Sequence, residues 1–332
     1  MRALICADAI GGLPSAVAGR ALGRAFAASG RRVQVAVVPL AAGGPALQDA
    51  LRELGRADVV AEAPGEPGEA SGFDRAATTA GLGQALLSAL DAAGGPPGRL
   101  VLDLAASVAP DGGAGLLAAL GATASGGRLD AGLAGLAGLD AVDLSPALRR
   151  LRGAGLVGVL PMGQASDLLL GLRGLASRRG RDAGLDPPSL LAADDGLARL
   201  ARALGIEDAP GAGACGGAGL AILALGGVLT TGVGLCAEAA GLEATASRAD
   251  IVVTGADTIG FADRGGPVVR EVAALAERAL RPCVAVAREV SVSARELRTF
   301  GIESAHPLGG EAEMDADELT RRASGVARTW TW

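Results

Sequence analysis

The sequence predicts an α/β fold of two domains, one of which is formed by both ends of the chain. Short apolar runs alternate with amphipathic helical patterns, which is typical of parallel sheets covered by helices. A length of 332 residues favours two domains over one. Because the C-terminal pattern resembles the N-terminal one more than the middle, we expect residues 1–125 and 246–332 to form a discontinuous domain. Residues 126–245 are then an inserted second α/β domain.

The N-terminal region predicts a strand, a glycine turn, a helix and a second strand. Residues 2–6 form a short apolar run, which the glycines at 11–12 end. Ser15 is suited to cap a helix over residues 15–28, and a second apolar run follows at 33–40. Strands that are joined through a helix pair in parallel, so we expect a βαβ unit here.

Later segments repeat this alternation of strands and helices. The apolar runs predict strands at residues 100–104, 156–160, 251–254 and 283–286. The spacing of leucines and valines predicts helices at residues 81–92, 190–204 and 268–280. The last two strands flank the last helix and therefore predict a βαβ unit near the C-terminus.

A long uncharged stretch at residues 210–236 allows either a membrane helix or a buried helix that follows a glycine loop. It is nearly as long as a membrane span, but its strongly apolar part, residues 220–229, is short. It has no aromatic belt and no flanking arginine cluster. We therefore expect a buried helix and no membrane association.

The charge balance and the reactive residues exclude several classes of protein. A net charge of −6 argues against a nucleic-acid partner. The four cysteines are far apart and only one histidine is present, which excludes the usual zinc sites and a charge-relay hydrolase. Sparse cysteines fit a reducing cytoplasm. We expect His306 to be an ordinary surface-loop residue. The chain contains no lysine, so it has no Walker A loop.

Glycine-rich turns are the main candidates for a binding site. Each of them follows a predicted strand and precedes a predicted helix, at residues 8–15, 41–45, 107–115, 211–219 and 254–266. Such a turn places backbone N–H groups and a helix N-terminus at the carboxyl end of a sheet, where phosphate or carboxylate groups bind.

The order and spacing of these turns resemble the bacterial glycerate kinase family over nearly the whole chain. The family's P-D-S-F-K-G-S-L-S-A resembles residues 7–16, V-P-x-A-D-G-G-E-G-T resembles 38–47, and G-S-A-T-N-D-G-G-A-G resembles 106–115. Further along, N-P-L-x-G-x-x-G and F-G-P-Q-K-G-A resemble 167–174 and 179–185, P-G-A-G-A-A-G-G resembles 210–217, and A-D-x-V-I-T-G-E-G-R-I-D resembles 249–260.

This resemblance implies a fold, an activity and a set of site residues. The fold would have two α/β domains, one of them flavodoxin-like and discontinuous. The activity would be ATP-dependent phosphorylation of the hydroxy acid D-glycerate to phosphoglycerate, with Mg²⁺, in the cytoplasm. Asp8 and Asp111 would be the catalytic carboxylates. The residues implied to bind substrate or phosphate are Ser15, Gly43, Gly44, Ser107, Gly112, Gly113, Arg179, Arg181, Gly211, Gly213, Thr254 and Gly255.

Most polar positions of the family's motifs are replaced in this chain. The residues that stand in their places are Gly11, Ala42, Pro45, Pro110, Ala183, Ala256, Thr258, Gly260 and Gly266. Phosphoryl transfer needs cations against the phosphate charge and carboxylates that hold Mg²⁺. Nearby arginines at 178–181 and Arg264 would offset lost lysines, and Asp257 would offset the lost glutamate.

Three functional hypotheses therefore remain open at this point. The first is an active glycerate kinase, and the second is a family member that keeps the scaffold and binds an anion, nucleotide or partner without catalysis. The third is an interaction protein that uses the terminal Trp330 and Trp332. Structural alternatives also exist, because Asp before glycine commonly forms an Asx turn or a helix cap. Ser15 and Ser107 would also be helix caps, and the arginines at 178–181 a solvated face.

Overall fold

The computed structural model describes residues 1–30, 32–61, 72–95 and 97–331, and it divides into two compact units. One unit, the discontinuous unit, comprises Met1–Arg56 and Gly232–Trp332. The other, the inserted unit, comprises Ala57–Thr231. The chain therefore leaves the first unit once and returns to it, as the sequence predicts.

The described residues of the discontinuous unit form a five-stranded sheet and helices. The strands are β1 (Arg2–Ala7), β2 (Gln34–Val37), β9 (Ile251–Ile259), β10 (Cys283–Val290) and β11 (Ser304–Pro307). The helices are α1 (Ser15–Ala28), α2 (Gly44–Glu53), α9 (Gly232–Ala240), α10 (Leu242–Arg248), α11 (Gly266–Arg278), α12 (Ala294–Thr299) and α13 (Ala316–Trp330).

The sheet of the discontinuous unit has the strand order of a flavodoxin-like fold. All of its strands are parallel, in the order β11-β10-β9-β1-β2. Counted within this unit, that is the order 2-1-3-4-5, whose switch point lies between β1 and β9. Ligands of such sheets bind in the crevice at the carboxyl ends of the two strands beside the switch point. The flavodoxin-like prediction is confirmed.

The core of this unit follows from the composition of its strands. β1 is buried at five of its six positions, as expected for a strand covered by helices on both faces. On one face, Ile5 and Val253 pack in a cluster with Leu22 and Phe26 of α1 and Leu319 of α13. Gly19 and Gly23 let α1 approach β2 closely, because a Cβ at these positions would lie 3.0 and 2.8 Å from the Val37 side chain.

The inserted unit contains a second parallel sheet. Its strands are β3 (Val59–Ala61), β4 (Arg99–Asp103), β5 (Thr123–Ser125), β6 (Ala141–Asp143), β7 (Gly155–Leu160) and β8 (Val228–Thr231). The parallel sheet has the order β3-β4-β7-β8, and β5 and β6 form a separate antiparallel pair. The helices are α3 (Ala80–Ala92), α4 (Ala114–Ala119), α5 (Ser145–Leu151), α6 (Leu175–Asp182), α7 (Pro187–Leu204) and α8 (Ala214–Ala224).

The boundaries of the compact units differ from the expected ones. We expected them at 125/126 and 245/246, whereas the units meet at 56/57 and 231/232. The reason is strand pairing: β4, which we assigned to the discontinuous domain, pairs with β7 and β3 of the inserted unit. Hydrogen bonds between strands 41 and 56 residues apart, as in these two pairings, leave no local signal in the sequence.

Most predicted elements are present, with shifted ends. Helix α1 has the predicted bounds, while β9 and β10 extend beyond the predicted runs because they pair along their full length. In the uncharged stretch, α8 is a buried helix as predicted, but the short strand β8 was not predicted. Among the described residues, none of the helices combines the length and apolar character that a bilayer crossing requires.

The prediction that His306 lies in a surface loop is wrong, because His306 is part of the edge strand β11. The indole N–H of Trp330 donates a 2.9 Å hydrogen bond to His306 Nε2, and Ser304 Oγ lies 3.2 Å from the same nitrogen. Partial burial lowers the pKa of His306 below its ordinary value. Trp330 therefore packs locally, and Trp332 lies outside the described residues.

This histidine predicts a loss of stability on acidification. Because its pKa is lower in the folded chain, folding favours the neutral ring, so the His306–Trp330 bond contributes above the unfolded pKa and is lost as the pH falls below it. We expect acidification from pH 7.5 to pH 5 to remove about 1 kcal/mol of stability through this bond. His306→Gln, which keeps an acceptor that does not titrate, should lose less stability over the same range in urea unfolding. An identical loss in both proteins would contradict the assignment.

Candidate functional site

Asp8 lies directly after β1, at the switch point of the flavodoxin-like sheet. Its backbone N–H donates to Gly255 O of β9 at 2.8 Å, which continues the pairing of β1 with β9 just past the end of β1. Its carboxylate Oδ1 accepts a 2.8 Å hydrogen bond from the N–H of Ala9. The side chain is half-buried, and this burial raises the pKa of Asp8 above its ordinary value. In the described part of the chain, Asp8 forms no ion pair.

The N-terminus of α11 opens beside this carboxylate. Gly265 and Gly266 precede and begin the helix with left-handed φ angles of 79° and 82°. A Cβ on Gly266 would lie 4.0 Å from Asp8 Oδ2, so the glycine leaves open space toward the carboxylate. Asp263 shapes this loop by accepting hydrogen bonds from the N–H groups of Gly260 and Gly265 at 2.9 and 3.1 Å.

An ion pair that the sequence did not reveal lies next to this loop. Arg288, at the end of β10, donates from Nε and Nη2 to the carboxylate of Asp257 at 3.1–3.2 Å. Asp257 also accepts a 3.0 Å hydrogen bond from the N–H of Gly11. The hydrogen bonds from Arg288 are the main reason why the pKa of Asp257 lies below its ordinary value. Asp257 is thus already paired. The sequence offered only one indication that Arg288 takes part in a site, namely its position near the end of a strand.

The other predicted residues around β1 and β2 have structural contacts. Ser15 Oγ donates to Ala7 O at 2.9 Å and accepts from the N–H of Leu40 at 3.2 Å. Ser15 makes no helix-capping hydrogen bond; it ties the start of α1 to the ends of both strands. Gly43 and Gly44 begin α2, and the φ of 60° at Gly44 is left-handed.

Two predicted residues belong to the buried part of β9. Thr254 is fully buried between Cys6 and Ala285 of the neighbouring strands, and its hydroxyl has no hydrogen-bond partner in the described residues. Gly255 has no room for a side chain, because a Cβ would lie 2.8 Å from both Ile10 Cδ1 and Val286 O. Both residues are therefore part of the packed interior of the sheet.

Asp111, in the inserted unit, is fully buried and saturated with hydrogen bonds. Its carboxylate accepts from the N–H groups of Thr79, Gly113 and Gly115 at 2.8–2.9 Å and from the Thr79 hydroxyl at 3.0 Å. Burial raises the pKa of Asp111, and these hydrogen bonds oppose the rise. The side chain caps α4 and anchors the start of α3. This geometry supports the helix-cap interpretation of Asp111.

The two glycine turns around Asp111 and before α8 pack directly on each other. The N–H of Gly112 donates to Gly216 O at 3.0 Å. A Cβ on Gly217 would lie 2.6 Å from Gly112 Cα, and one on Gly113 would overlap Ala221. A Cβ on Gly216 would overlap the carbonyl oxygen of Ala109. These glycines therefore allow two backbones to touch.

Gly211 and Gly213 also allow a close contact between two backbone segments, here between the loop before α8 and residues 167–168. Their N–H groups both donate to Asp167 O, at 3.0 and 3.1 Å. A Cβ on Gly213 would overlap Leu168 O. The N–H groups of these two predicted phosphate binders are thus engaged by the protein's own backbone.

Arg179 is the predicted arginine that lies closest to these loops. It is half-buried in α6, its Nη2 donates to Gly72 O at 3.3 Å, and its buried Nε has no partner among the described residues. Desolvation lowers the pKa of Arg179. Burial raises the pKa of Cys215 to about 12, with Asp103 adding to the rise and Arg179 opposing it.

The remaining predicted residues of the inserted unit are more peripheral. Arg181 is exposed, as the solvated-face alternative expects. Ser107 follows a short 3₁₀ turn, and its Oγ accepts a 3.3 Å hydrogen bond from the N–H of Ala109. The neighbouring Arg178 pairs with Asp167.

A sequence model of the glycerate kinase family matches residues 60–331. The chain belongs to the glycerate kinase family. It is 30% identical over 267 residues to the glycerate kinase of Bacillus subtilis, covering 75% of this chain and 68% of that protein. It is also 30% identical over 261 residues to an uncharacterized protein of Mycobacterium bovis, covering 76% of this chain but only 61% of that protein.

The fold is similar to that of a solved family structure. A crystal structure of a candidate glycerate kinase 2 from Salmonella typhimurium LT2 superimposes with a TM-score of 0.71. The match covers 99% of this chain and 96% of that one at 24% identity. It supports the α/β architecture with parallel sheets.

The positions where the resemblance implies a charged residue have different surroundings in this chain. Gly11 stands where the family has a lysine, and a Cβ there would lie 2.5 Å from Met314 Cγ. Ala256 replaces a glutamate and is buried. Arg264 does not offset the lysine lost at Gly266, because its guanidinium stacks over the ring of Phe300 at 5.0 Å.

The family implies Mg²⁺, and one carboxylate of the described residues fits this ion. In the described ranges no cluster of three or more potential metal-binding side chains occurs. Mg²⁺ is usually held by one or two carboxylates together with phosphate oxygens, so a cluster is not required. Asp8 fits that role, since a desolvated carboxylate without an ion pair is stabilised by a cation.

Proposed function

We propose that this protein transfers a phosphoryl group from ATP to D-glycerate, giving phosphoglycerate. The observation that carries the proposal is the half-buried carboxylate of Asp8, which has no ion-pair partner among the described residues and lies beside the N-terminus of α11 at the switch point. Family membership and the glycerate kinase named in Bacillus subtilis support the same reaction. The substrates would be a nucleotide and a small hydroxy acid.

The residues of the crevice would have distinct roles. The N-terminus of α11 would bind phosphate oxygens through backbone N–H groups, and Gly266 would let the phosphate approach because it has no side chain. Asp8 would hold Mg²⁺, which supplies positive charge to neutralise the phosphate oxygens when it is bound. Separately from this crevice, we propose Arg179 of the inserted unit as a phosphate-binding cation, because its buried Nε has no partner among the described residues.

We propose a cytoplasmic location for this reaction. All four cysteines are free thiols and all are buried, which is typical of proteins in a reducing compartment.

A second candidate function is anion or nucleotide binding without catalysis. The observation that favours it is Asp111, the other predicted catalytic carboxylate, whose oxygens are occupied by Thr79, Gly113 and Gly115. Arg288, at the C-terminal part of β10, is paired with Asp257 and is therefore not a free cation for a phosphate group. Such a protein would bind Mg·ATP and release no ADP.

A coupled assay of ADP release with D-glycerate and Mg·ATP separates the two candidates. Asp8→Asn keeps the size of the side chain and removes its charge, so we expect a loss of about 100-fold or more in kcat. Asp49→Asn changes an exposed residue of the same unit that pairs with Arg52, and it should keep full turnover. Equal turnover in both variants would refute the role of Asp8.

Nucleotide binding provides the complementary measurement. If wild type shows no turnover but its melting temperature rises with millimolar Mg·ATP, the second candidate is correct. If neither turnover nor a thermal shift is observed, both candidates fail.

A further inference from the structure

Three arginines from three separate elements line one small cleft of the discontinuous unit. Arg264 comes from the loop before α11, Arg270 from α11 and Arg298 from α12. Phe300 forms part of the wall, and the cleft has a volume of about 190 Å³. Because the three arginines come from separate elements, the charge pattern of a single helix does not explain why they lie together.

The cleft has more positive than negative charge. Glu277 is the one carboxylate that lines it, against three guanidinium groups. Within the described residues, none of the three arginines has a carboxylate at ion-pair distance. By contrast, Arg278 of α11 and Arg288 of β10 are each paired, with Glu271 and Asp257. A concave surface with uncompensated positive charge concentrates anions.

The backbone and the aromatic rings hold the first arginine in place. Arg264 has a φ of 53°, a left-handed conformation that non-glycine residues rarely adopt. Its guanidinium lies 5.0 Å from the centre of the Phe300 ring, and Phe261 lies 6.3 Å from the same ring. Arg264 is exposed, and this stacking modestly favours one direction of its guanidinium. Unfavourable backbone conformations of this kind cluster at binding sites.

The arrangement of α11 separates this cleft from the crevice at Asp8. Arg270, Ala274 and Glu277 recur at i, i+4 and i+7, so they form one stripe of the helix. Val268, Val269 and Val272 are fully buried and belong to another stripe. Apart from Arg264, which lies in the loop before α11, the cleft residues of this helix lie along its side, whereas the crevice lies at its N-terminal end.

We propose that this cleft binds a small phosphoryl anion with two or more negative charges, such as pyrophosphate or a phosphate monoester. Guanidinium groups bind phosphate oxygens through paired, charge-assisted hydrogen bonds. A cleft volume of about 190 Å³ is enough to hold phosphoryl groups. The site goes beyond the proposed kinase reaction and does not depend on it.

Calorimetric titration with pyrophosphate tests the site without measuring activity. The double variant Arg270→Gln/Arg298→Gln should bind pyrophosphate at least about tenfold more weakly than wild type. The charge-matched control is Arg295→Gln/Arg328→Gln, which changes an exposed arginine of α12 and one of α13 that do not line the cleft. The control should bind within about twofold of wild type, and circular dichroism should verify that both variants fold.

The possible outcomes decide the proposal. Weaker binding in the first variant alone supports the site in the cleft. Equal affinity in all three proteins would place any binding elsewhere, and equal weakening in both variants would show only a general charge effect. Either result, or no pyrophosphate binding by wild type at millimolar concentration, overturns the proposal.

Discussion

Gly216→Ala is expected to lower the free energy of unfolding of the inserted unit by about 4 kcal/mol. A loss of this size is enough to prevent many domains from folding stably. A Cβ at this position would overlap the carbonyl oxygen of Ala109 and lie 2.6 Å from its carbon. These are backbone atoms of the turn before Asp111, so no rotamer change relieves the overlap. The left-handed φ of 73° adds about 1 kcal/mol for any residue with a side chain.

Gly226→Ala is the matched control for this prediction. Gly226 has nearly the same φ, 77°, but a Cβ there meets nothing within 4 Å. Gly226→Ala should lower the free energy of unfolding by only about 1 kcal/mol, which is the cost of the left-handed backbone conformation. Urea unfolding that follows the inserted unit compares the two variants. Similar losses in both would show that the two glycine turns do not touch as the structure describes.

Asp111→Ala is expected to cost about 3–5 kcal/mol, which is a shift in melting temperature of about 10 °C. The substitution leaves the N–H groups of Thr79, Gly113 and Gly115 buried without an acceptor. The cost of an unsatisfied buried donor exceeds the net gain of the hydrogen bond that it replaces. The effect arises from folding and is expected in the absence of any ligand.

Further variants keep this prediction testable if the alanine variant does not fold. Asp111→Asn retains one acceptor oxygen but turns an amide N–H₂ toward a donor, so it should also be strongly destabilised. Thr79→Val removes the hydroxyl that donates to Asp111 and accepts from the N–H of Leu116. This substitution should lower the free energy of unfolding by about 1–3 kcal/mol. Asp182→Asn, at an exposed position at the end of α6, should change stability by less than about 0.5 kcal/mol. A stable Asp111→Ala protein that has lost only turnover would restore the catalytic interpretation.

The sequence predicted the secondary structure well where the signal is local. Helix α1 and strand β4 were expected within one residue of their observed ends, because apolar periodicity and flanking glycines act over a few residues. Strand β8 was not predicted, because its four residues follow an apolar helix without a charged break.

The candidate site was predicted only in part, for reasons that the glycine turns make clear. The sequence located the turns only approximately, since residues 254–259 belong to β9 and residues 214–219 to α8, but their resemblance to one family is supported by the family match. Whether a glycine leaves room for a ligand or for another part of the chain depends on what lies opposite. At Gly266 the space opens toward Asp8, whereas at Gly216 it is filled by Ala109. The pairing of Arg288 with Asp257 across β9 and β10 had no motif to indicate it.

The amino-acid sequence alone therefore determined the α/β class, the discontinuous arrangement and the family, because periodicity and motif order are properties of the linear chain. Tertiary structure decided which strands share a sheet, and it moved the limits of the units to Arg56 and Gly232. It also distinguished the two aspartates: Asp111 is enclosed by hydrogen-bond donors, while Asp8 retains an unpaired carboxylate. Burial and pairing depend on residues far apart in the chain, so only the folded arrangement assigns them.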